Sequence, residues 1–291
     1  MDVKQNGSIT LELPASDLEW QYIPDIVYAD YGGCKRHIQL IAPYKPDWNG
    51  ERFPLIVYVP GSAWFAQYKY SKLPMLGRLA ERGYAVAAVE YRESSIAPFP
   101  AQICDVKAAI RFLRSKAEEF HLDTERVFSM GDSSGGHTVL LAGLTASMPK
   151  LDSDLYPGYS CEVSGIIDFY APADLVKCHE ESPKNTGTTN DLSPIELLLG
   201  GVKLQSVPEL AREASCFTYI DKAIPVPPVL IFHGTNDDTV LHNQSVLLFD
   251  KLKEAGKEAA FYSVQGAGHG GAVYWCSEIV DIVDEFIKNI E

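Results

Sequence analysis

Apolar and polar positions in this chain follow two periods. Residues 8–13 and 25–42 hold the stretches ITLEL, DIVYADYG and RHIQLIAP, which alternate nearly residue by residue. A period of two belongs to strands with one face on a core, so these segments predict antiparallel edge strands. Six other stretches are apolar almost throughout: FPLIVYVPG (53–61), YAVAAVEYR (84–92), RVFSMG (126–131), VSGIIDFYAP (163–172), PPVLIFHGTND (227–237) and EAAFYSV (258–264). Runs of that length suit strands covered on both faces. Helical spacing lies between them. It predicts helices at 71–82 (ended by Gly83), 100–120, from 134 onward, 240–256 and 271–290. In the second of these, Ile103, Val106, Ile110 and Leu113 share one face and Pro100 marks the start.

Alternating strands and helices imply right-handed crossovers and an α/β fold with a mostly parallel sheet of about eight strands, helices on both faces. The pattern weakens over 173–223, where SPKNTGTTNDLSP is polar and turn-rich and IELLLGG is a short helix-like piece. That stretch is too short and too weakly patterned for a core of its own. The expectation is one domain over 1–291 with a small cap inserted at 173–223; the competing reading is a solvated excursion. The first 20 residues fit a strand, an arm over a site or a dimer contact equally well.

Gly131-Asp132-Ser133-Ser134-Gly135 lies between a predicted strand and a predicted helix. G-x-S-x-G arises by chance in about one chain in ten of this length at average composition. The strand-before, helix-after setting is what makes it informative. Such a corner lifts the serine hydroxyl clear of the sheet and leaves no room for side chains two positions either side. The helix N-terminus then favours negative charge beside the hydroxyl. A serine needs a base, and the base an orienting acid, in the chain order serine, acid, histidine. His269, in VQGAGHGG after the last predicted strand, fits the base. Asp237, four residues after His233, fits the acid better than its neighbour Asp238, with Asp174 third. His233, at the end of a buried strand, reads as a structural hydrogen-bonder and His137 as a packing residue. His37, His121, His179 and His242 have no matching partners. The bland alternative for Ser133 is a helix N-cap.

An oxyanion needs backbone donors. One is the N–H of Ser134; the other belongs to the loop after the 53–61 strand, Pro60-Gly61-Ser62-Ala63-Trp64-Phe65. This loop resembles the H-G-G-G/A-W loop of the α/β-hydrolase esterases, the group holding hormone-sensitive-lipase-like and feruloyl or acetyl-xylan-type carboxylesterases. YRESSIAPFPAQICDVKAAIRFLR, GDSSGGHTVLLAGL and PPVLIFHGTNDDTV are similar to other motifs of that group, and the similarity runs from about residue 53 to 288. The departures are Pro60 for the leading histidine and Ser62 for a glycine. The resemblance implies an α/β-hydrolase fold and a serine carboxylesterase acting through Ser133, Asp237 and His269. Its oxyanion donors would come from Gly61, Ser62, Ala63 and Ser134. Substrates would be short-chain acyl or aryl esters, with acylated sugars among the candidates. Trp64, Phe65 and Tyr68 either line a substrate pocket or simply pack. An amidase, formamidase or small peptidase on the same three residues is the second reading, and a binding protein that lost catalysis the third.

Bulk properties change this picture little. The 291 residues are 46% hydrophobic and 22% charged, enough for a sizeable core. With 25 basic and 39 acidic residues the net charge is −14, which disfavours nucleic acid and anionic membranes as partners. No signal-like segment opens the sequence and no apolar run approaches a membrane span, so a cytoplasmic setting is expected. Six scattered cysteines form no C-x-x-C pair, no H-E-x-x-H is present, and no lysine follows the glycines at 131, 135 and 136 as a phosphate loop needs. Neither metal nor cofactor is implied. Oligomeric state is open, homo-oligomers included.

Overall fold

The computed structural model describes residues 3–5, 8–12, 18–45, 48–181 and 192–290. Eight strands form one sheet: β1 (Glu19–Tyr31), β2 (Cys34–Tyr44), β3 (Phe53–Val59), β4 (Ala85–Val89), β5 (Leu122–Asp132), β6 (Gly165–Phe169), β7 (Val229–Gly234) and β8 (Ala259–Val264). Their order across the sheet is β8-β7-β6-β5-β3-β4-β2-β1. From β8 to β4 every neighbouring pair is parallel; β4–β2 and β2–β1 are antiparallel. Eight strands, mostly parallel, is the α/β-hydrolase arrangement the sequence implied.

The continuous apolar runs have the predicted cause. Along β3 every residue is buried, and side chains alternate between two cores. Leu55, Val57 and Val59 join one cluster, Ile56 and Tyr58 the other. The first is closed by α2 (Ala101–Ser115), α3 (Ser134–Leu144) and α7 (Asn243–Glu254), the second by α1 (Leu73–Ala80) and α8 (Ser277–Lys288). Between α3 and α7 lie three short helices: α4 (Leu175–Glu181), α5 (Pro194–Leu198) and α6 (Pro208–Glu213).

Several predicted bounds shift. Ser8–Thr10 pairs with Val3–Gln5 as a separate ribbon, and the edge strand starts earlier, at Glu19, carried past a bulge where Asp25 has φ +50°. The last helix begins at Ser277, not 271, because Gly270 and Gly271 have positive φ and a single turn, Ala272–Trp275, intervenes. The 173–223 segment contributes Leu175, Ile195, Leu198, Ala211 and Cys216 to the first core. Most of its polar SPKNTGTTNDLSP stretch lies outside the described residues.

Candidate active site

Parallel strands put all their carboxyl ends at one edge, and four such ends meet here. Ser133 follows β5 directly. Its φ is +52° and ψ −124°, a conformation rarely tolerated outside glycine. Crowding fixes the corner. A Cβ on Gly131 would lie 2.5 Å from the Gly135 carbonyl oxygen, and one on Gly135 only 2.0 Å from that of Val59. Ser133 N–H donates to the Phe169 carbonyl at 2.8 Å, which ties the corner to β6.

His269 and Asp237 come from the loops after β8 and β7. His269 Nε2 is 2.8 Å from Ser133 Oγ, and its Nδ1 is 2.7 Å from Asp237 Oδ2. A carboxylate only accepts, so Nδ1 carries the proton and Nε2 is free to accept from the serine hydroxyl. Burial alone would push the Asp237 carboxyl up. Hydrogen bonds from His233 and His269, and the amides of Thr239 and Val240, hold it far below the usual carboxylate range instead. Asp237 therefore stays ionised and the imidazole stays oriented. His233 Nε2 lies 2.9 Å from the Val240 carbonyl and 3.2 Å from Asp237 Oδ2, while its Nδ1 faces Ser245 Oγ at 2.7 Å. It is the structural hydrogen-bonder predicted, with one addition: it braces the acid. Asp174 instead accepts the amides of Val176 and Lys177, and Asp238 accepts the Thr239 hydroxyl at 3.2 Å.

Of the four expected oxyanion donors, two are committed elsewhere. Gly61 N–H donates to Asp132 Oδ1 at 3.0 Å, and Ser62 N–H to Ser134 Oγ at 2.8 Å. Among the described residues, no acceptor bonds the amides of Ala63 or Ser134. The loop presses against Ser133, since a Cβ on Gly61 would sit 2.8 Å from Ser133 Cβ. Ala63 and Trp64 both have positive φ, +54° and +60°. Trp64 packs rather than lining a pocket: it is 3% exposed, and its Nε1–H donates to His137 Nδ1 at 3.2 Å. Phe65 and Tyr68 do reach solvent. Phe65 lines a cavity of about 310 Å³ together with Ser94, Ile96, Pro98, Leu197 and Gly200.

Several residues that build the site carried no sequence signal. Asp132 accepts from Tyr58 Oη–H, Gly61 N–H and, at 3.5 Å, Tyr170 Oη–H. Burial raises the Tyr58 and Tyr170 phenols well above their ordinary value, which keeps both as donors. The Tyr170 ring meets the His269 ring edge-on at 4.9 Å. His137, also buried, titrates at about 4; it is neutral at pH 7, and its Nε2–H donates to the Ala214 carbonyl at 2.7 Å. A glycine corner is visible in one short stretch of chain. A carboxylate collecting three donors from the ends of two other strands is not.

Among the described residues, no three His, Cys, Asp or Glu side chains are grouped to hold a metal ion, and no helix is long and apolar enough to cross a membrane.

Known proteins of this shape carry related names. A solved structure titled a truncated form of carbohydrate esterase from gut microbiota superposes with a TM-score of 0.79 at 29% identity, covering 94% of this chain and 98% of that one. A propionate-bound structure of Est2, a thermophilic esterase from Thermogutta terrifontis, matches at a TM-score of 0.71 and 25% identity, covering 94% of each chain. Among curated proteins, Esterase LipC of Mycobacterium tuberculosis is 27% identical over 228 residues, 78% of this chain and 55% of its own length. The chain spans about half the length of the curated relatives it matches. The BD-FAE family model matches residues 42–252, most of the sheet and everything from the Pro60–Phe65 loop through Asp237, and the chain belongs to that family.

Proposed function

We propose that this protein hydrolyses carboxylic esters through a covalent acyl-serine. The observation that carries the reading is the unbroken line Ser133 Oγ, His269, Asp237, at 2.8 and 2.7 Å. Ser133 attacks the ester carbonyl carbon while His269 Nε2 takes its proton. Asp237 stabilises the imidazolium and is not itself protonated. The amides of Ala63 and Ser134 stabilise the tetrahedral oxyanion. His269 returns the proton to the departing alcohol, and water repeats the sequence to release the acid.

Short acyl groups on carbohydrate alcohols are the substrate class we assign. Its support is the similarity to a protein named a carbohydrate esterase and to one holding propionate, together with the hollow beside Phe65. The 173–223 insertion, which supplies Leu197 and Gly200 to that hollow, acts as the specificity wall.

The test is direct. The protein should release p-nitrophenol from p-nitrophenyl acetate and acetate from acetylated xylooligosaccharide, and take up one fluorophosphonate per chain. Ser133→Ala should do none of these. Equal turnover by Ser133→Ala would overturn the mechanism. Faster cleavage of formyl or aminoacyl amides than of any ester would overturn the substrate class.

A further inference from the structure

The oxyanion loop lacks the side chain that its family resemblance places first, because position 60 is proline. It is also strained. Ala63 and Trp64 sit consecutively in the left-handed region, which residues with a side chain rarely adopt. Such a turn persists only where its surroundings over-determine it. We propose that the Ser134 hydroxyl is a latch that holds this loop in its productive shape, a positioning role separate from that of the Ser134 amide. The proposal rests on the esterase reading above.

The geometry is a closed set of hydroxyls. Ser134 Oγ, buried at the first turn of α3, accepts the Ser62 N–H at 2.8 Å. It also lies 3.2 Å from Tyr91 Oη, which in turn lies 3.1 Å from Ser62 Oγ. Ser62 Oγ–H donates to the Phe65 carbonyl at 2.7 Å, and Phe65 N–H returns a bond to the Ser62 carbonyl at 3.0 Å, closing the turn over Ala63 and Trp64. Tyr91 is pinned by its own amide, which donates to Gln67 Oε1 at 2.9 Å. One hydroxyl thus fixes the residue immediately before Ala63 to the residue immediately after the nucleophile. The two amides assigned to the oxyanion are Ala63 and Ser134, so the latch sets the distance between them. Removing Oγ leaves the half-buried Ser62 amide without its acceptor and lets the strained turn relax.

Fluorophosphonate labelling and p-nitrophenyl acetate turnover test this, because phosphonylation and acyl transfer both develop charge on the same oxygen. In Ser134→Ala, kcat and the labelling rate should fall about tenfold, less than the hundredfold or more that follows outright loss of an oxyanion donor, with KM changed less than twofold. Tyr91→Phe keeps the volume and the Ser62–Ser134 bond, so about a threefold fall is expected. The double variant should be no slower than Ser134→Ala alone, since both act through one group. Labelling of Ser134→Ala at the wild-type rate or faster, or full multiplication of the two effects, would overturn the latch. Wild-type protein that takes up no fluorophosphonate would instead overturn the esterase reading on which it stands.

Discussion

Two turns flank the candidate nucleophile, and they hold their shape by opposite means. The corner at Gly131–Gly135 is set by exclusion: a methyl group at either glycine would run into backbone. The loop at Pro60–Phe65 uses exclusion only at Gly61, and beyond it is set by attachment. It carries alanine and tryptophan at positive φ, where a bare turn would favour glycine, and Asp132, Ser134, His137 and Tyr91 hold it from four directions. Exclusion is local and tolerates no side chain. Attachment is distributed, tolerates several residue types, and fails bond by bond.

The comparison breaks first at the chemistry both turns serve. Ser133→Ala should lower kcat by about 10⁶ with its melting temperature unchanged, and Asp237→Asn by about 10⁴ through the wrong histidine tautomer, with some stability lost at neutral pH as well; p-nitrophenyl acetate kinetics and thermal melting measure the two effects. Next comes the corner. Gly135→Ala must move the Val59 carbonyl, and a loss of about 3 kcal/mol on urea unfolding is expected, with activity falling too. A variant as stable as wild type would show that exclusion is not what shapes the corner.

The third test concerns buried carboxyls near the corner, which differ in sign. Asp168 is fully buried on β6, and burial raises its carboxyl well above the ordinary range. The unfolded chain ionises this group near pH 4 while the folded chain keeps it protonated, so its contribution declines as pH rises from there. Asp168→Asn should match wild type near pH 3 and gain on it toward neutrality, by at most about 1.4 kcal/mol per pH unit. Asp237, held ionised, does the reverse: its contribution stands above about pH 4 and is lost on acidification. Urea titrations at pH 3, 5 and 7 read both, and a pH-independent difference for Asp168→Asn would remove the buried carboxylic acid from the picture. The smallest effect belongs to the loop. Ala63→Gly relieves a left-handed alanine but frees the unfolded chain, so stability should change by less than about 1 kcal/mol, and kcat should not rise.

How much could be read beforehand follows the same division. β3 and β4 were legible because both faces are covered and every residue is apolar. The glycine corner was legible because steric exclusion leaves one residue type. Asp237 and His269 were legible as the ends of strands in a known chain order. Asp132, Tyr58, Tyr170 and Tyr91 were not, because their bonds join residues 29 to 74 positions apart and any polar side chain reads alike before the sheet aligns it. Tyr91 and Asp132 even sat inside the quoted motifs without revealing a role. The start of α5 held a signal that was passed over: Ser193 and Glu196 form a reciprocal capping box, spelled out as S-x-x-E.

His137 touches the indole of Trp64 with one ring nitrogen and the Ala214 carbonyl with the other. The imidazole thereby joins the end of α6 to the Pro60–Phe65 loop. Transplanting a relative's 173–223 segment to alter selectivity would also retune turnover, unless the imidazole and both of its neighbours travelled together as one graft.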